Sequence, residues 1–136
     1  MSADPVASLL AANAAFYEGF ESLDLDGMDA LWDHGDAVWC VHPGADLIVG
    51  WGPVRRSWAA IFANTAYLQF IVTDVHARAV GDGGLVTCTE NILSGAAGTD
   101  IGGGKAVATN AFLRRGSAWR MVAHHASPVL RRLPEG

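Results

Sequence analysis

The chain has 136 residues, 51% hydrophobic and 17% charged, with a formal net charge of −5. That length suits one domain, spanning 1–136, whose core needs no staple, and the composition excludes a disordered chain. The acidic balance argues against a nucleic-acid partner, and no apolar run reaches the ~20 residues of a membrane-spanning helix.

The N-terminus carries Asp4 and no basic cluster, so it does not read as a signal peptide. Asp4 and Pro5 read as the N-cap and first residue of a helix. Val6, Leu9, Leu10, Phe16, Tyr17 and Phe20 then fall on one helical face, with Asn13 in its middle, either a satisfied buried amide or a pocket-lining group. Asp24 caps a short second helix that turns Leu25, Met28, Leu31 and Trp32 inward and is weakened by Gly27. Trp39 to Gly44 reads as a strand stopped by Pro43-Gly44. His42 is its last residue, held extended by the following proline, on the face of Val38 and Cys40, with Trp39 and Val41 opposite. Leu47-Ile48-Val49 returns as a short strand. Gly52-Pro53 starts a third helix whose Val54, Trp58, Ile61 and Phe62 form the apolar stripe, while Arg55 and Arg56 face water.

The period then changes. Residues 67–80, 85–93, 105–114 and 118–127 are rich in β-branched side chains and are separated by Gly81–Gly84, the 95–104 loop and Arg115-Gly116-Ser117, which predicts an antiparallel meander. The order gives an α+β fold with helices packed on one face of a curved sheet. Cys40 and Cys88 read as buried reduced thiols, which points to a cytoplasmic protein. The core should span about 5–128, with a loosely ordered tail over 129–136.

Several motifs together resemble the SnoaL-like family of the nuclear transport factor 2-like superfamily. They are Asn13-Ala14-Ala15-Phe16-Tyr17, Asp24-Leu25-Asp26-Gly27-Met28, Cys40-Val41-His42-Pro43-Gly44, Gly50 through Trp58, Thr87-Cys88-Thr89-Glu90, Ala108-Thr109-Asn110-Ala111-Phe112 and His124-His125-Ala126-Ser127-Pro128. The resemblance implies a cone-shaped curved sheet, mixed or antiparallel, wrapped around the N-terminal helices. It also implies an apolar pocket and a homodimer through the sheet's outer face. It does not imply one activity: the superfamily holds isomerases, hydrolases, dehydratases, cyclases and non-catalytic association domains. Where ketosteroid isomerases carry an oxyanion-binding tyrosine on the first helix, this chain has Phe16, with Tyr17 one position off. Their general-base aspartate falls near His42, and their protonated aspartate falls at Asn110.

The candidate catalytic groups are His42, Glu90, Asn110 and His124, a base, acid and oxyanion set on separate strands. Asn13, Phe16, Tyr17, Trp58 and Phe112 are the candidate ligand-binding residues, with Phe16 and Trp58 flooring the pocket. Which histidine of the pair faces inward depends on the turn. A three-residue connection puts His124 on the face of Asn110, a two-residue Gly116-Ser117 turn puts His125 there, and the resemblance favours His124. Adjacent strand histidines point apart, so no metal is expected. With no nucleophile elbow, phosphate loop or dinucleotide fingerprint, no cofactor is expected either. Two readings remain: a cofactor-free isomerase, dehydratase or hydrolase acting on a small hydrophobic molecule, with His42 as general base, and a non-catalytic ligand-binding or association module.

Overall fold

Asp4 opens the first helix, α1 (Pro5–Glu21), by accepting a hydrogen bond from Val6 N at 3.0 Å. The computed structural model describes residues 4–98 and 100–130. Leu9, Asn13, Phe16 and Tyr17 form the buried face of α1, whereas Leu10 is turned to the flank and exposed. The second helix, α2 (Leu25–Leu31), is capped by Asp24, which accepts from Gly27 N at 3.0 Å. Gly27 strengthens this start. A Cβ there would lie 2.7 Å from Asp24 Oδ2, so glycine leaves room for the capping carboxylate. Two short strands follow, β1 (Trp39–Val41) and β2 (Ile48–Val49), then α3 (Trp51–Ala63). β1 ends one residue short of His42. α3 begins at Trp51, so Pro53 is its third residue rather than its first, a tolerated place because the first-turn N–H groups have no partner within the helix. Arg55 does not simply face water: its guanidinium holds the Asp29 carboxylate of α2 at 2.7 and 3.1 Å.

The long strands β3 (Tyr67–Val80), β4 (Gly83–Gly95), β5 (Gly102–Arg115) and β6 (Ala118–Pro128) form the meander. They reach further into the glycines than expected, with Ser94 paired to Gly102 and Ile92 to Gly104, because a ladder needs only backbone groups. The sheet order is β2-β1-β6-β5-β4-β3, with β1 parallel to β6 and the other pairs antiparallel. This is an α+β cone with an open mixed sheet, its concave face closed by the helices. The expected loose tail, 129–136, lies outside the described residues beyond position 130. Among the described residues, no helix is long and apolar enough to cross a membrane.

α1 lies so close to β4 at Gly84 that an added Cβ would meet the two Leu9 methyl carbons at 2.7 and 2.9 Å. Leu9 is fully buried and cannot swing clear. Gly84→Ala should therefore cost about 1–3 kcal/mol. Urea unfolding checks this, and an unchanged midpoint would contradict the packing described.

Candidate functional site

Alternation along β4 and β5 sends Cys88, Glu90 and Asn110 to the concave side, and Asn13 and Tyr17, four residues apart on α1, meet them there. His124 joins from β6 through an irregularity. The Gly116-Ser117 turn is the two-residue kind, with Arg115 opposite Ala118, which by itself would bring His125 inward. The register slips between Ala111 and Phe112, which face Ala123 and Met121, so Val122 is an extra residue on β6. That bulge restores His124 to the face of Asn110 and leaves His125 outside.

The buried side chains form one chain of hydrogen bonds. His124 Nδ1 lies 2.6 Å from Asn110 Oδ1. Asn110 Nδ2 donates to Asn13 Oδ1 at 2.8 Å and to the Tyr17 hydroxyl oxygen at 3.2 Å. Tyr17 donates to Glu90 Oε2 at 2.6 Å, with Cys88 Sγ 3.3 Å from the same hydroxyl. Because the Asn110 carbonyl can only accept, His124 carries its proton on Nδ1.

Burial sets the protonation states. It pushes the His124 pKa down to about 3, helped by the nearby His42 and His125, so this imidazole is neutral. It raises the Glu90 carboxyl to about 7, with the Tyr17 hydrogen bond pulling the other way. Tyr17, desolvated and next to Glu90, is held well above its usual range and stays a phenol. Burial lifts the Cys40 thiol to about 12 and raises that of Cys88, so both are inert.

His42 stands apart from this chain. Its Nε2 is 2.9 Å from Ser57 Oγ, and its ring sits edge-on to Trp58 at 4.8 Å and 6.5 Å from the His124 ring. Ser57 gives its own hydrogen to Val54 O at 2.6 Å, so it accepts from His42 and is no activated nucleophile. Burial lowers the His42 pKa, and the Glu90 carboxyl engages Tyr17 instead. Trp39 lies on the other side of its strand, exposed, in the expected register.

A groove of about 550 Å³ runs between α1 and β3. Asn13 and Tyr17 reach it from the hydrogen-bonded chain, and Leu10, Ala14, Phe70, Val72 and Val75 supply apolar wall. Phe16 and Trp58, 5.7 Å apart and fully buried, pack around His124 rather than along this groove. Phe112 is buried beside a shallow depression on the outer face. The structure thus brings Glu90, Asn110, His124, Asn13 and Tyr17 together and leaves His42, Phe16, Trp58 and Phe112 outside the groove. Sequence reasoning missed Cys88, Phe70, Val72 and Val75. Leu10, Ala14, Tyr17 and Glu21 recur at helical spacing and mark the second face of α1 that forms the groove wall. Among the described residues, no three His, Cys, Asp or Glu side chains are grouped to hold a metal.

The family model described as "SnoaL-like domain" matches residues 9–131. A solved structure of a proposed dehydratase of the nuclear transport factor 2-like family from Streptomyces avermitilis is 48% identical, with a TM-score of 0.86, over 93% of this chain and 96% of that one. A proposed calcium/calmodulin-dependent protein kinase type II association domain from Thiobacillus denitrificans is 34% identical, with a TM-score of 0.77, over 88% and 94%. Among curated proteins, the F-box protein SKIP8 of Arabidopsis thaliana is 29% identical over 123 residues, which are 90% of this chain. The match spans about half the length of that relative.

Proposed function

The chain belongs to the SnoaL-like family, and on that premise we propose a cofactor-independent enzyme of the isomerase or dehydratase class. A small apolar molecule enters the α1–β3 groove, and its proton moves through Tyr17 and Glu90. The observation that carries this reading is a buried carboxyl near pKa 7, bonded at 2.6 Å to a phenol that lines the groove. Both reactions need one carrier that gives and takes a proton at neutral pH. An isomerase lifts a proton from one atom and returns it to another, and a dehydratase protonates a leaving hydroxyl and accepts a proton from carbon. A group with pKa near the working pH serves both directions. Tyr17 meets the ligand, Glu90 stores the proton behind it, and Asn110 with His124 holds the phenol oxygen in place. The general-base part first expected of His42 passes to this pair. The kinship to a protein described as a dehydratase supports the class.

The test is a ligand titration followed by amide NMR, with 2-naphthalenemethanol as the probe. Shifts should centre on Asn13, Tyr17, Phe70 and Val72. Shifts centred on His42 and Trp58 would move the site to the other side of His124.

One observation favours a second reading, a non-catalytic binding or association module: the inward polar groups already satisfy one another. The likeness to an association domain supports it. Under either reading a second copy covers the outer sheet face, where Ile71, Leu85 and Val107 are exposed. Light scattering at tens of micromolar should give a dimer, the range usual for such interfaces, and a monomer would contradict it.

A further inference from the structure

We propose that the groove selects its ligand by charge and by hydrogen-bonding sense: it takes an apolar molecule bearing a hydroxyl or ammonium donor and rejects anions. The inference rests on the groove reading above and names the ligand class for that same site. Glu18 and Glu21, three residues apart on α1 and both exposed, form part of its lining. Glu21 Oε2 accepts from Phe70 N at 3.2 Å, which ties this carboxylate across from α1 to β3. Among the described residues, none that lines the groove is basic. The ion pairs found among them, Arg55 with Asp29 and Arg115 with Asp33, lie elsewhere and neutralise neither glutamate.

The floor adds to this bias. The Tyr17 hydrogen goes to Glu90, and the Asn13 carbonyl accepts from Asn110. The Tyr17 donor is therefore engaged inside the protein, whereas the phenol oxygen and the glutamate oxygens remain able to accept. A carboxylate or phosphate arriving here would meet two like charges, with only the neutral Ser22 hydroxyl and Asn13 amide in the lining to donate to it. An ammonium or hydroxyl would meet acceptors, with its apolar body against Phe70, Val72 and Val75. Charge contacts of this kind near a protein surface change affinity by about tenfold each at low salt.

The experiment compares three naphthalene probes of one shape at pH 7 and low ionic strength: 2-naphthylmethylamine, 2-naphthalenemethanol and 2-naphthoate. Affinities come from amide NMR titration of the wild type and of the Glu18→Gln/Glu21→Gln double variant. The amine should bind at least about tenfold more tightly than the naphthoate, with the alcohol between them. In the double variant the spread should shrink to about threefold or less, and the alcohol, whose hydroxyl the glutamine carbonyls can still accept, should change less than the amine. Naphthoate binding as tightly as the amine, with the alcohol still in the groove, would overturn the charge filter alone. So would an undiminished spread in the double variant. Failure of all three to shift the groove residues would overturn the groove reading and the filter together.

Discussion

Acidification should remove about 5 kcal/mol of stability through His124 alone, because its pKa lies near 3 in the folded protein against 6.5 when exposed. The contribution is present in full above pH 6.5. Below that, the unfolded chain binds a proton on this imidazole and the folded chain does not, so stability falls towards pH 3. Glu90 works in the opposite sense. Between about pH 7 and 4.5 the folded protein keeps a proton that the unfolded chain has released, so acidification stabilises by up to about 3 kcal/mol. The two nearly cancel from pH 6.5 to 4.5, and the His124 loss is unopposed by Glu90 below that. His124→Asn keeps a donor towards Asn110 but cannot titrate. It should be less stable than the wild type at pH 7 because it leaves a cavity. The gap should close by about 1.4 kcal/mol for each pH unit below 6.5. Urea unfolding at a series of pH values reads this, and a gap that stays constant would mean that His124 titrates normally.

Glu90→Gln should slow turnover of a groove substrate by ~10²–10⁴-fold, the usual loss for an acid–base group, while leaving the protein as stable or more so above pH 7. The wild type keeps an ionisable carboxyl 1% exposed, which destabilises it increasingly between pH 4.5 and 7. Glutamine can still accept from Tyr17 and carries no charge, so up to about 3 kcal/mol returns, less the cost of its new amide donor. Activity lost while stability is gained is the signature of a group that serves function against the fold. Tyr17→Phe should lose activity to a similar degree but not gain stability, since it removes the hydrogen bond to the buried Glu90 carboxyl and one of those made by Asn110. If Glu90→Gln retained full activity, the non-catalytic reading would stand.

Much of the fold could be read from the sequence because it rests on local signals. Asp4-Pro5 and Asp24 are caps, and the β-branched runs between glycine turns became β3 to β6 with boundaries shifted by a few residues. Alternation placed Trp39 opposite Cys40 and His42 correctly. The site was only half readable, for a physical reason. The turn at Gly116-Ser117 speaks for His125 facing inward, and only a bulge at Val122, which leaves no mark in composition or periodicity, reverses it. Glu90, Asn110 and Tyr17 were candidates singly. Their 2.6 and 3.2 Å contacts are made between residues 73 and 93 positions apart, so no local spacing could reveal that they form one chain while His42 does not. Alternation alone does not reveal the groove wall, because Phe70 and Val72 share one face of β3 whereas Val75 joins them only through the register shift between Thr73 and His76.

The most direct measurement is the ionisation of Glu90 itself, followed by the ¹³C shift of its side-chain carboxyl across pH 3 to about 9, a range that brackets the ordinary and raised values. The midpoint should lie at about 7 in the wild type. It should be higher in Tyr17→Phe, because the tyrosine hydrogen bond holds it down. A midpoint at or below 4.5, the ordinary carboxyl value, would leave the groove without a proton carrier at neutral pH and contradict the Tyr17–Glu90 mechanism.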